Sequence, residues 1–242
     1  MYRRTIIFAS LCLSIASVQA LTLMDAEYVC PLDGKKFTAR TPASYSRFGM
    51  CLDWKPVGAM IAPIPLPKCP GTGFVLYKKK FSETELTKLR AYVATPEYTR
   101  LRKEHTDYYI ASKLQILLGE SDTTVAFTLT QASWEAKTPI QYIQYAEETL
   151  SKLDAAMKTS KPEQKAERTS MSFLIGELSR RLGKLDAAEK HFSALLVELT
   201  ASGGIKDHQK AIIELQQSLI QKKDSQAYLL PQKGRGLERC PQ

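Results

Sequence analysis

The chain has little of what most catalytic and metal sites are built from. Its 242 residues include three histidines, His105, His191 and His208, and none lies in the first hundred residues. It has no Gly-x-Ser-x-Gly nucleophile motif and no glycine-rich loop of the kind that binds phosphate. The histidines fall on predicted helices at spacings that form no metal-binding pair. The sequence therefore predicts no catalytic residues.

Long apolar runs are absent after the N-terminus. Residues 1–20 carry Arg3-Arg4, an apolar run over 6–16, and the small-x-small sequence Val18-Gln19-Ala20, which together are typical of a secretory signal peptide. The apolar run is too short to span a membrane. We therefore expect cleavage before Leu21 and a periplasmic or secreted protein with no transmembrane segment.

Basic residues are in excess but spread along the chain. There are 34 Lys and Arg against 25 Asp and Glu, a formal charge of +9 that falls by two when residues 1–20 are removed. Only Lys78-Lys79-Lys80 and the tail over 233–239 concentrate basic charge. Nucleic-acid binding needs a denser basic face, so we expect no nucleic-acid partner. The charge favours solubility, and a weak attraction to anionic membrane or acidic cell-wall polymer stays open.

Cysteines are few, and two of them begin similar stretches. "CPLDGKKF" starts at Cys30 and "CPGTG" at Cys69, and both look like the CPxCG zinc knuckle with Asp33 and Thr72 in place of the second cysteine. Beyond the signal segment the cysteines are Cys30, Cys51, Cys69 and Cys240, an even number that favours two disulfides in an oxidising compartment.

Two uses of these cysteines compete. A zinc site would need an unusual set of ligands, namely Cys30, Asp33, Cys51 and Cys69, because Thr72 is a poor ligand. In a zinc ribbon the two knuckles face each other, so without the metal their first cysteines can bond directly. We favour the pairs Cys30–Cys69 and Cys51–Cys240, one of three connectivities, and no metal cofactor.

The composition divides the chain into a head, a helical body and a tail. Residues 21–81 are rich in Pro, Gly and Cys and lack helical periodicity, so we expect a small irregular or β head. Residues 82–222 are expected to form six or seven helices, with caps at Ser82, Thr95, Ser121 and Thr138. One of them is a long helix from Pro96 to Gly119. Residues 223–242 form the tail. The fold class is therefore all-α with a small cysteine-containing head.

One helical pair has a more specific pattern. In "FLIGELSRRLGKLDAAEKHFSALLVEL", small residues recur at Gly176, Gly183 and Ala188, and Phe192 follows. This spacing resembles the tetratricopeptide repeat. The resemblance implies that Gly176 and Ala188 allow two helices to approach closely, that Gly183 ends the first helix, and that Phe192 packs in the interface.

Five stretches together resemble a bacterial family. "CPLDGKKF", "PLPKCPGTGF", "LLGESD", "QASWEA" and "ELSRRLGKLDAAEKHF" follow in order the pattern of domain of unknown function 2225. The resemblance implies a zinc-ribbon head leading into tetratricopeptide-like helices, and it implies no catalytic residues. This chain departs from it at Asp33, at Thr72 and in its signal peptide, which favours an exported form with disulfides in place of the metal.

We expect a noncatalytic adaptor or scaffold in the periplasm or outside the cell. Its helical surface would bind a protein or peptide of the cell envelope, with Tyr109, Lys113 and Arg180 as candidate contact residues. Two alternatives stay open. One is zinc-dependent binding through the head, and the other is an enzyme or enzyme subunit that acts on cell-wall material, suggested by compartment and basic charge.

Overall fold

The structure is a computed structural model that describes residues 21–161, 163–201, 203–232, 234 and 236–241. The described chain forms two antiparallel two-stranded sheets followed by helices. The strands are β1 (Thr22–Val29), β2 (Lys36–Ser44), β3 (Ser46–Met50) and β4 (Pro56–Ala59). The helices are α1 (Glu83–Val93), α2 (Pro96–Glu104), α3 (Asp107–Leu118), α4 (Asp122–Glu135), α5 (Pro139–Thr159), α6 (Lys165–Arg181), α7 (Leu185–Ala201) and α8 (Asp207–Gln221). The expected signal peptide lies outside the described residues.

The head is built from two short β-hairpins. Strands β1 and β2 pair from Val29 opposite Lys36, and the ring of Tyr28 stacks on that of Phe37 with centroids 5.6 Å apart. The proline-rich segment that follows β4 forms bends and irregular backbone and not a helix, because closely spaced prolines forbid a helix. A helical body with a small β head is thus confirmed in outline.

Side-chain caps begin four of the described helices. Ser82 Oγ accepts the N–H of Glu85, and the Glu85 carboxylate accepts the N–H of Ser82 in return. The hydroxyls of Thr95, Ser121 and Thr138 cap α2, α4 and α5 by accepting the N–H of the third residue of each helix, without a reciprocal carboxylate bond of the kind that Glu85 makes. These starts agree with the capping residues that the sequence contains.

The expected number of helices is wrong, because the long helix predicted from Pro96 is two helices. His105 adopts an extended backbone, with φ −127° and ψ 165°, and α3 starts two residues later. The described residues therefore contain eight helices rather than six or seven.

Hydrogen bonds from other helices hold this break open. The Tyr145 hydroxyl accepts the N–H of Thr106 at 3.3 Å, and Glu135 accepts the N–H of Tyr108 at 3.0 Å. The amide of Gln141 donates to the carbonyl of Glu104 at 2.8 Å. Groups that a continuous helix would bond internally find partners on α4 and α5 instead.

The helices from α3 to α8 each pack on the next one in sequence. Between α6 and α7, Gly176 lies against the ring of Phe192, where a Cβ atom would clash, and Ala188 is fully buried. Gly183 takes a left-handed φ of 74° after α6, and the N–H of Lys184 donates to the carbonyl of Ser179. None of the described helices is long and apolar enough to cross a membrane.

The C-terminal tail folds back onto the head. The N–H of Leu52 donates to the carbonyl of Tyr228 at 2.9 Å, and the N–H of Leu230 donates to the carbonyl of Met50 at 2.8 Å. Cys240 lies beside Cys51. Head, tail and helices therefore meet in one region of the molecule.

Candidate functional site

The first cysteine turn is closed by its own side chains and backbone. The N–H of Gly34 donates to the carbonyl of Cys30 at 2.8 Å, and Gly34 has a left-handed φ of 73°. Asp33 Oδ1 accepts the N–H of Lys35 at 3.1 Å. Short polar side chains commonly cap an N–H two residues further on, so Asp33 shapes this turn by a hydrogen bond.

The second cysteine turn repeats this geometry. The N–H of Gly73 donates to the carbonyl of Cys69 at 2.8 Å, and Thr72 Oγ1 accepts the N–H of Phe74 at 3.2 Å. Asp33 and Thr72, the residues at the missing second-cysteine positions, thus have equivalent structural roles.

A related turn, one residue shorter, lies at Cys51, and we did not predict it from the sequence. The N–H of Trp54 donates to the carbonyl of Cys51 at 2.9 Å, and Asp53 Oδ1 accepts the N–H of Lys55 at 3.1 Å. Trp54 has a φ of 70°, which is rare for a bulky residue. The sequence Cys-x-Asp-x-Lys contains the cysteine and the aspartate of this turn. It was not recognised because Trp54 stands where the other two turns have glycine.

The cysteines form two pairs at disulfide distance. The Cα atoms are 5.4 Å apart in Cys30–Cys69 and 5.7 Å apart in Cys51–Cys240. These are the pairs that we favoured, and such pairs indicate an oxidising, extracytoplasmic compartment. The four residues considered as zinc ligands are not brought together, because Cys51 pairs with Cys240. Within the part of the chain described, no three His, Cys, Asp or Glu side chains are grouped closely enough to hold a metal ion.

Two of the three predicted partner-binding residues are wrong as surface contacts. Tyr109 is 3% exposed and Arg180 is fully buried, because α3 and α6 are covered by neighbouring helices on more than one face. Lys113 is partly exposed, but its ammonium group is bound to the carboxylate of Glu148. These residues hold the body together instead.

Tyr109 is the centre of a hydrogen-bonded aromatic cluster. Its hydroxyl donates to Glu148 Oε1 at 2.6 Å and accepts from Gln144 Nε2 at 2.7 Å. Its ring stacks on those of His105 and Tyr145, with centroids 4.2 and 4.3 Å away, and the His105 and Tyr145 centroids are themselves 5.8 Å apart. These ring contacts and hydrogen bonds, together with its burial, fix the orientation of the Tyr109 side chain.

Burial sets the protonation of this cluster. It raises the pKa of Tyr109, and the hydrogen bond to Glu148 raises it further, so the phenol stays protonated. Burial lowers the pKa of His105. Burial also opposes the charge on Glu148, but hydrogen bonds from Lys113 and Tyr109 outweigh it and lower the pKa. At neutral pH the cluster is a set of matched donors and acceptors.

Arg180 forms a second buried network at the end of α6. Its Nε and Nη2 atoms donate to Glu177 Oε2 at 3.2 and 2.7 Å, and Nε also donates to Gln216 Oε1 at 2.7 Å. Its remaining bonds go to the carbonyls of Asp224 and Gln226. The network therefore fixes the start of the C-terminal tail against α6 and α8.

A cleft of about 590 Å³ opens where head, tail and helices α4 to α6 meet. Residues from each of these parts line it, which is possible only because the tail folds back. The residues that matter most for its chemistry are Lys55, Trp134, Lys137, Tyr142, Arg181 and Arg239. A volume of this size is ordinary for ligand sites in proteins.

The cleft is electropositive. Four cationic side chains line it against one acid, Asp53. Asp53 is buried, and its Oδ2 lies 3.4 Å from the guanidinium group of Arg181. Helix α5 also begins here at Thr138 and Pro139, so the positive end of its dipole faces this region.

Two aromatic residues form part of the wall. The guanidinium group of Arg181 lies 4.7 Å from the ring centre of Tyr142, a cation–π contact that orients the arginine. The Tyr142 hydroxyl and the Trp134 indole N–H are buried and have no hydrogen-bond partner among the residues that the structure describes. Burial raises the pKa of Tyr142, so it remains a neutral phenol.

No pattern in the sequence predicts this cleft. Its lining comes from positions as far apart as Asp53, Trp134, Arg181 and Arg239, and no two of them form a motif. Only the fold-back of the tail brings them together.

The profile of a family described as "Uncharacterized protein conserved in bacteria (DUF2225)" matches residues 73–222. No curated protein matches the chain. No solved structure matches it. Because the family match covers more than half of the sequence, the chain belongs to this uncharacterised bacterial family.

Proposed function

We propose that the protein is a noncatalytic adaptor in the periplasm or outside the cell, and that it holds a protein or peptide segment in the cleft between head, tail and helices. The observation that carries this proposal is the cleft itself. It is concave, it is large enough for a few residues of a peptide, and its walls combine apolar and charged side chains.

The sequence supports export. Residues 1–20 have the arginines, apolar run and small-x-small sequence of a signal peptide, and the cysteines beyond them lie in pairs at disulfide distance. N-terminal sequencing of the protein from its native cells should give Leu21 as the first residue. A chain that retains Met1 in the cytoplasm would contradict export.

The surface beside the cleft also supports a binding role. Ile143 lines the cleft and is 51% exposed, and Ile140, one turn earlier on α5, is 78% exposed. Two aliphatic side chains on one helical face beside a concave site are a suitable contact for a partner. A tetratricopeptide-like stack of helices, suggested by Gly176 and Phe192, would present this face on a rigid support.

Site-specific photo-crosslinking in living cells tests the proposal. A benzoylphenylalanine residue replaces Ile143 in the cleft or Val197, which is exposed on α7 and serves as the matched control. We expect a partner to be crosslinked from position 143 and much less from position 197. The crosslinked band is then identified by mass spectrometry.

A different result would overturn the adaptor. If neither position crosslinks a partner while the purified protein hydrolyses peptidoglycan, the chain is an enzyme of the cell envelope. Equal crosslinking from both positions would show that the partner does not bind specifically at the cleft.

A further inference from the structure

We infer that the cleft selects acidic peptide segments, which bind through carboxylate groups. This inference rests on the proposed function and adds the chemical class of the partner segment. It is carried by the charge of the cleft, its concave shape and its aromatic wall.

The cleft lining has a larger proportion of basic side chains than the whole sequence has. The full sequence has 34 basic and 25 acidic residues, whereas the cleft has four basic side chains and one acidic one. The single acid is already paired with Arg181. The concentration of positive charge in a hollow with low-dielectric walls strengthens its field and attracts anions.

The cationic groups come from separate elements and converge on the cleft. Lys55 belongs to the third cysteine turn, Lys137 to the α4–α5 loop, Arg181 to the end of α6 and Arg239 to the tail. Lys137 is exposed, and Lys55 Nζ donates a 3.3 Å bond to the carbonyl of Pro241. Arg181 is held in place by Asp53 and Tyr142. The cleft thus combines a cationic donor in a fixed position, Arg181, with lysine donors that can adjust to a bound carboxylate.

The shape favours a peptide over other anions. A membrane surface needs a flat or convex basic face, and this basic surface is recessed. The walls also include Pro139, Ile143 and Pro241, which suit the apolar side chains that accompany acidic ones in a peptide. A purely charged polymer would leave these contacts unused.

Fluorescence anisotropy with a dye-labelled oligoglutamate peptide tests the inference on the full mature chain. Oligoserine and oligolysine peptides of the same length are the comparison probes. We expect oligoglutamate to bind most tightly and to be released as the salt rises from about 0.05 M to about 0.5 M, because salt screens exposed charge pairs.

Charge-reversed variants locate the binding. Lys137→Glu combined with Arg239→Glu should weaken oligoglutamate binding at least about tenfold. Lys88→Glu combined with Lys190→Glu makes the same change in net charge at exposed positions on α1 and α7, and it should change the affinity less than about threefold. Lys137→Glu alone, at an exposed site, checks the result if the double variant folds poorly.

Three outcomes would overturn the inference. They are equal binding of oligoserine, equal weakening by both charge-reversed pairs, and binding of anionic vesicles or polygalacturonate without oligoglutamate. In each of these cases a crosslink from position 143 would still support the proposed function, and its absence would overturn the proposed function separately.

Discussion

Arg180 is a fully buried charge with a partner for every nitrogen atom. Its guanidinium group neutralises Glu177, which is also fully buried, and anchors the carbonyls of Asp224 and Gln226. Burial alone raises the pKa of Glu177, and the neighbouring Arg180 opposes that rise. The pair therefore contributes to stability only while both members are present.

Arg180→Met should lower the free energy of unfolding by about 3–5 kcal/mol, because it removes the hydrogen-bonded counter-charge of the buried Glu177 and leaves it only Arg181, whose Nη1 lies 4.0 Å from Glu177 Oε1. Urea unfolding measures the change. Lys184→Met is the control, since it breaks an ion pair with Glu147 in which both side chains are nearly half exposed. The control should cost less than about 1 kcal/mol. Equal losses in the two variants would contradict the buried network.

His191 should make stability depend on pH. Its Nε2 lies 2.8 Å from the carbonyl of Ser172, and burial lowers its pKa below the ordinary value. The unfolded chain therefore binds more protons than the folded chain just below about pH 6.5, so stability is lost as the pH falls through that range.

His191→Gln keeps a donor to Ser172 and removes the titration. Unfolding free energies measured by urea between about pH 5 and about pH 8 should show a flatter dependence in this variant than in the wild type. His208→Gln, at an exposed position on α8, is the control and should keep the wild-type slope. A slope unchanged by His191→Gln would contradict the assignment.

At the scale of elements, the sequence predicted the helix starts better than the helix break. Ser82, Thr95 and Thr138 mark helix starts through local chemistry, so their sequence signals are sufficient. Thr106-Asp107 is also a start signal, but it lies inside a continuous apolar periodicity. The break at that point depends on Tyr145, 39 residues away, and distant partners leave no local pattern.

Tyr145→Phe should destabilise the break between α2 and α3. It removes the hydroxyl that accepts the N–H of Thr106 and contacts His105 Nδ1, and leaves a buried donor unpaired at a cost of about 1–3 kcal/mol. Tyr142→Phe is a matched control one turn earlier on α5, because the Tyr142 hydroxyl is buried and no described residue bonds to it. Urea unfolding should show little loss, or a small gain, for Tyr142→Phe.

Amide hydrogen exchange measures the effect of these two substitutions at the break itself. The amides at the start of α3 should exchange faster in Tyr145→Phe than in the wild type. In Tyr142→Phe their exchange rates should equal those of the wild type. If both variants lose the same stability and protection, the Tyr145 hydroxyl does not hold the break.

In the whole molecule, the cleft depends on the tail remaining beside the head. The Cys51–Cys240 pair joins residues 189 positions apart, and Lys55, Arg239 and Pro241 of the cleft lie next to it. The cysteine count and spacing predicted that the tail returns to the head. The cleft that this return creates was not predictable, because its walls are set by the packing of α4, α5 and α6.

Peptide mapping of the non-reduced protein should link Cys30 to Cys69 and Cys51 to Cys240. Replacing Cys51 and Cys240 by Ser removes a long loop closure, worth about 5 kcal/mol in the chain-entropy model. It should also speed amide exchange over 227–232 and weaken oligoglutamate binding. Replacing Cys30 and Cys69 by Ser, which removes a shorter closure of about 4 kcal/mol, is the control because that pair lies outside the cleft.

The two variants separate stability from cleft geometry. Both should unfold at lower urea concentration, but only the Cys51 and Cys240 variant should lose binding under conditions where both remain folded. Equal loss of binding in the two variants would mean that the tail has no specific role in the cleft. A map that links Cys30 to Cys51, or free thiols with stoichiometric zinc in the native protein, would overturn the disulfide assignment, because either result requires the cysteine turns to be arranged differently.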